Sequence, residues 1–337
     1  MTIPLLKKLP VRSLITGLVF MAICSMETYA QDPEFTQFYA APLYTNPAMA
    51  GTGECGGRVV LNYRNQWPSL PGTFRTFAAS YDQHFDGIGG GIGILAMRDV
   101  AGDGLLTSTS FSGVYSYQIN VSRFFTMRAG IQATFMQRSI DFSRLRFSDQ
   151  IVARRGFVLP TQEALANQNI SFPNFSAGLM GYTKNFFAGL AVHNLTEPNQ
   201  SFFKNTADGT TLPRRFTIHS GLVIPLSPTR RNQEPNMTIS PNILFMMQQK
   251  FLQVNFGFYL NKGPFVAGLW FRQTAPNADA LMALIGFRYN KFKFGYSYDI
   301  TVSSARAAAP GSHEISAAIE WCHHKRSRYR RLRCPDF

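Results

Sequence analysis

Six histidines, His84, His193, His219, His313, His323 and His324, are the side chains of this chain best suited to acid–base or metal chemistry. None stands at a spacing that builds a known catalytic or metal set. The adjacent His323-His324 lies in a basic run, where such a pair is read as solvated rather than as a ligand pair. A Ser–His site would have to be assembled in space, because a triad is defined by geometry and not by sequence position. The stretch Gly89-Gly90-Gly91-Ile92-Gly93 has the glycines of a phosphate loop but not the following Lys-Ser/Thr or a helix. It reads instead as a glycine-rich strand with close neighbours. The expectation is therefore no catalytic residue, no metal ligand and no cofactor.

The elements that would position these residues are strands. Hydrophobic residues make up 45% of the 337 positions, with 30 Phe, 13 Tyr and 27 Gly. Mean hydropathy is nevertheless only −0.08. Helical membrane proteins need spans of about 20 consecutive apolar residues and come out far more apolar. A transmembrane barrel mixes apolar and polar residues one by one, which keeps the mean near zero. Phe251 to Leu260 shows the pattern: Leu252, Val254, Phe256, Phe258 and Leu260 on one face, Gln253, Asn255, Gly257 and Tyr259 on the other. Lys291 to Ile300 and Arg58 to Trp67 repeat it. Successive strand side chains point to opposite faces, so each run has one greasy and one polar or small face. The runs approach the roughly 9–11 residues that cross a bilayer at a tilt, longer than the 5–6 common in soluble sandwiches.

The fold class is accordingly all-β: a transmembrane antiparallel β-barrel of about 14 strands. Starts are expected near Arg58, Thr73, Ile88, Leu105, Arg123, Phe175, Phe186, Arg214, Asn236, Phe251, Pro264, Ala280, Lys291 and Ser312. Connections alternate in length. The long ones (139–173, 195–213, 99–104, 273–279 and 302–311) fall at one end and are expected outside the cell. The other end carries tight turns such as Phe85-Asp86-Gly87 and Asn261-Lys262-Gly263, expected in the periplasm. The 227–235 turn is longer than this rule favours. Glu314 to Cys322 is expected to close the barrel against the first strand.

Residues 1–30 read as a cleavable signal peptide. Lys7, Lys8 and Arg12 precede an apolar core from Leu14 to Ile23, and Thr28-Tyr29-Ala30 offers a cleavage site before Gln31. Met21-Ala22-Ile23 before Cys24 fits a lipobox poorly. A secreted chain does not normally meet nucleic acid, so the formal charge of +14 is read as lumen and loop side chains, with no nucleic-acid partner. The exception is residues 323–337, where Arg326, Arg328, Arg330, Arg331 and Arg333 form a basic periplasmic tail able to dock an acidic partner. Cys322 ends the barrel (58–322) and Cys334 lies in the tail. They either form a disulfide that pins the tail to the rim or remain two free thiols, with Cys55 left over. Residues 31–57 hold Phe35, Phe38, Tyr39, Tyr44, Asn46 and Pro47, too many apolar groups for a solvated tail, and are expected to pack in the lumen or the periplasmic mouth.

Those ends also carry a resemblance. Gln31-Asp32-Pro33-Glu34-Phe35-Thr36-Gln37-Phe38-Tyr39, then Pro42-Leu43-Tyr44-Thr45-Asn46-Pro47-Ala48-Met49-Ala50-Gly51, resembles the mature N-terminus of the PorP/SprF family of Bacteroidetes. Tyr63-Arg64-Asn65-Gln66-Trp67-Pro68 and the Cys322 to Phe337 ending are similar too. The resemblance implies an outer-membrane component of the type IX secretion system, assisting export or surface attachment of cargo with C-terminal sorting domains, in some members gliding adhesins. It implies as partners periplasmic lipoprotein or ring components of the machine, the exported cargo, and outer-membrane lipid. The rival reading is a channel or transporter for small solutes, and the discriminating feature is whether the lumen is filled.

Overall fold

A computed structural model describes residues 32–53, 56–152, 154–161, 168–202, 211–227, 235–275, 278–303 and 311–322. Its strands in chain order are β1 (Gly56–Gln66), β2 (Phe74–Phe85), β3 (Gly90–Ala101), β4 (Leu106–Asn120), β5 (Thr126–Ile140), β6 (Ile151–Val152), β7 (Gly156–Phe157), β8 (Asn169–Tyr182) and β9 (Phe186–His193). They continue as β10 (Arg215–Leu222), β11 (Ile224–Pro225), β12 (Met237–Gln248), β13 (Phe251–Lys262), β14 (Phe265–Thr274), β15 (Ala278–Tyr289), β16 (Phe292–Thr301) and β17 (Ser312–Cys322). The pair β6–β7 is a small hairpin in a loop, and β11 prolongs β10. The other fourteen form one antiparallel ring. It closes where β17 pairs with β1 and where β10 pairs with β12. Closure gives every strand of the ring a neighbour on each side, as the bilayer interior demands because unpaired backbone groups find no water there.

Alternation decides which way each strand faces. On β13, Phe256 is 48% exposed and its neighbour Asn255 is 1% exposed. Every one of the fourteen strands exposes a large apolar residue, from Leu61 on β1 through Ile131 on β5 to Ile315 on β17. A band of that extent marks a lipid-facing surface. The inward positions are polar, charged or small: Asn62, Arg64, Asp82, Ser116, Arg128, His219, Asp299 and Glu314 are all buried.

Strand starts match the sequence reading to within three residues, with one exception. β8 begins at Asn169, not Phe175, and runs through Pro173. Proline cannot donate to a ladder. The structure accommodates it because β8 meets β9 only from Ala177 onward, so at Pro173 only the β5 side is paired. Pro241 has a similar effect on β12: the β10–β11 ladder breaks beside it, between Leu222 and Ile224. The ring's two ends differ as expected. Connections 141–168 and 194–214 share one end, and tight turns at 86–89 and 263–264 occupy the other. Short turns belong to the periplasm and long loops to the outside.

Candidate functional site

Inside the ring lies the segment from Pro33 to Gly53. It folds as a 3-10 turn (Phe38–Ala40), one α-helical turn (Pro42–Thr45) and a second 3-10 turn (Pro47–Met49). Two prolines start turns at positions where an N–H would be unbonded in any case. The Asn46 side chain caps the second 3-10 turn by accepting from Ala48 N at 2.9 Å. Nearly every side chain from Phe35 to Ala50 is buried.

The barrel wall supplies the partners. Glu314 accepts from Thr36 N at 2.6 Å and from Gln37 N at 3.0 Å. The Thr36 hydroxyl donates to Asp299 at 2.7 Å and also meets Arg64. Arg64 pairs with Asp299 at 3.1 Å and Glu314 at 3.3 Å, and Arg272 reaches Asp299 at 3.1 Å and Glu34 at 3.6 Å. The Gln37 amide donates to Ser297 at 3.2 Å and accepts from Ser316 at 2.6 Å. Buried charges are tolerated only when paired and hydrogen-bonded, and here the segment's backbone completes the set. At the other end Gly51 N donates to Asp82 at 2.7 Å, itself paired with Arg58 at 2.9 Å. Arg128 donates to Ala50 O at 2.6 Å, as does Ser116 at 2.7 Å.

Between these anchors the contact is aromatic and close-packed. Phe38 meets Trp270 edge-on at 4.9 Å, Tyr39 meets Phe187 at 5.6 Å, and Phe35 meets Tyr44 at 5.3 Å. The Arg215 guanidinium sits 4.4 Å from the centre of the Tyr44 ring. The Asn46 amide donates to the Leu179 and Leu190 carbonyls at 3.2 Å and lies 3.1 Å from His219 Nε2. His193 Nε2 lies 3.3 Å from Thr45 O. Two of the histidines weighed for chemistry thus face the segment.

All six segment residues singled out from sequence, Phe35, Phe38, Tyr39, Tyr44, Asn46 and Pro47, lie within this packing. Their wall partners were not legible. Gly91, Gly130, Gly178 and Gly295 sit where a Cβ would overlap Ala50, Ala48, Asn46 and Gln37 respectively. Glycine is what lets the segment's backbone (at Gly91 and Gly130) and side chains (at Gly178 and Gly295) approach the wall this closely. The one trace in the sequence is glycine at inward strand positions. Gly91, within the stretch weighed as a phosphate loop, meets the Ala50 carbonyl instead. Cys322 closes β17 opposite Gly56. Cys334, Cys55 and the arginines 326, 328, 330, 331 and 333 lie outside the described residues. Among the described residues no group of three His, Cys, Asp or Glu side chains comes together to hold a metal.

The model of the type IX secretion system membrane protein PorP/SprF family matches residues 27–319. The chain belongs to the PorP/SprF family. That family and the barrel together assign it to the outer membrane. None of the curated proteins compared matches it. Among solved structures, the toluene transporter TbuX of Ralstonia pickettii is similar with a TM-score of 0.50 at 10% identity, over 84% of this chain and 94% of that one. The P. putida toluene transporter TodX gives 0.49 at 8% identity over 83% and 94%. At such identity the TbuX likeness speaks for the barrel fold alone.

Proposed function

We propose that this PorP/SprF member works in type IX secretion as a docking barrel whose lumen is occupied by its own residues 33–53. The observation that carries this is the pairing of that segment with the wall from Asp299 and Glu314 at one end to Asp82 and Arg128 at the other. A barrel filled by its own chain serves better as a platform than as a conduit. Its partners are then periplasmic lipoprotein or ring components at the turn end and exported cargo with a sorting domain, including gliding adhesins, at the loop end. Arg326, Arg328, Arg330, Arg331 and Arg333 are proposed as the periplasmic contact, by charge complementarity with an acidic partner.

The test replaces these five arginines by Gln in a strain that depends on the system. Barrel assembly should persist while cargo accumulates in the periplasm. Normal export would remove the docking role from the tail. The rival small-solute channel requires residues 33–53 to move aside. Planar-bilayer recordings should show little conductance for the intact barrel and open-pore conductance after their deletion. A large conductance in the intact protein would favour the channel.

A further inference from the structure

A narrow chamber lies between the N-terminal segment and the wall near the turn end of β1 and β14–β17. Gln37, Tyr39 and Pro42 form one side, and Val60, Val266, Leu284 and Ala318 give it apolar walls. Gly286 and Gly295, directly paired on β15 and β16, leave its outer side without side chains. Arg58, Arg288, Lys293 and Glu320 line it where their strands end. Arg58 is committed to Asp82 at 2.9 Å and Lys293 to Glu320 at 3.1 Å. Arg288 differs: its Nε and Nη2 are buried and have no hydrogen-bond partner. A guanidinium cannot shed its proton to relieve this, so its donors call for an acceptor.

Behind the same glycine pair a lipid-facing crevice opens, lined by Ala267, Ile285, Phe287, Tyr296 and Ile315, with Lys262 at the turn end. The chamber and the crevice share Gly286 and Gly295, so one layer of backbone separates the chamber from the bilayer. We propose that the chamber binds a single-chain anionic amphiphile of fatty-acid type, its carboxylate on Arg288 and its chain along Val60, Val266 and Leu284. The narrow space between these apolar walls suits one methylene chain. The arginine offers a carboxylate an ion pair, where an alcohol head can accept only a hydrogen bond.

Full-length barrel in a non-ionic detergent would be titrated with dodecanoate, dodecanol and inorganic phosphate, with bound ligand counted by native mass spectrometry. One dodecanoate per barrel is expected, bound at least about tenfold (about 1.4 kcal/mol) more tightly than dodecanol, because the carboxylate adds an ion pair to the hydrogen bond that an alcohol can also accept. Arg288→Gln should abolish that preference. Ala318→Leu, which keeps the arginine but fills the chamber, should block binding, and heat-modifiable mobility on gels would confirm that both variants are folded. Equal binding of dodecanoate and dodecanol, dodecanoate binding indifferent to both substitutions, or phosphate binding as tight as dodecanoate would each overturn the proposal.

Discussion

Glu314 shows how much one side chain does here. It faces Arg64 across the β1–β17 seam as its register partner, and it accepts from two successive amides of the N-terminal segment. One carboxylate therefore links ring closure to lumen filling. Glu314→Ala would leave a buried guanidinium short of a partner and two buried N–H groups unanswered, a loss of about 3–5 kcal/mol where buried ion pairs are broken. The expected outcome is a lower unfolding temperature by heat-modifiable gel mobility, with Glu314→Gln intermediate. An unchanged temperature for the alanine variant would mean that the network does not hold the segment. The inward glycines make a second residue-scale prediction. A Cβ at Gly178 would overlap the Asn46 amide oxygen, whereas a Cβ at Gly113 meets nothing within 4 Å. Gly178→Ala should render residues 33–53 sensitive to limited proteolysis while the ring stays intact, and Gly113→Ala should change nothing. Equal resistance in both would show that the wall adjusts around the segment.

At the scale of the element, what could be read and what could not divide along one physical line. The lipid face has a strict period of two and an all-or-none demand for apolar residues, so β13 and β16 were visible from Phe256, Phe258, Phe294 and Tyr296 alone. The lumen face has no such demand. Ser, Gly, Arg and Tyr all occur there, chosen to fit the N-terminal segment, and a fit between residues some 260 positions apart, such as Thr36 with Asp299, leaves no local signature. The segment's own aromatics said that it must pack, but not against what. The true start of β8 was not legible, because what Pro173 costs there depends on whether a second strand is paired beside it, which is a tertiary fact. The reading of the lipid face gives a sharp test on β13. Phe256→Arg should cost about 2–4 kcal/mol near the membrane midplane. Phe256→Leu should be nearly neutral, because it keeps an apolar group against lipid. Detergent-refolding yield would separate the two, and comparable yields would mean that β13 is out of register.

Across the whole molecule, the N-terminal segment has a direction. Thr36 bonds to Asp299 and Glu314, both within three residues of the strand ends that feed the 302–311 loop. Gly51 and Ala50 bond to Asp82 and Arg128, close to the 86–89 and 121–125 turns. The segment therefore runs through the barrel from the loop end to the turn end before β1 turns back up through the membrane. With loops outside, Pro33 is the more external end and Gly53 the more periplasmic. Glu314 and Arg64 thus serve both as the seam of the ring and as an anchor of the segment. Single cysteines at Pro33, Gly53 and the loop residue Leu159, in a chain with Cys55, Cys322 and Cys334 replaced by serine, test the direction. A membrane-impermeant maleimide added to intact cells should label Leu159 fully and Pro33 in part, and should spare Gly53 until the outer membrane is permeabilised. Labelling of Gly53 with protection of Pro33 and Leu159 would mean that the barrel sits in the membrane the other way up. Protection of Pro33 alone would mean that the external loops cover the lumen, leaving the orientation intact.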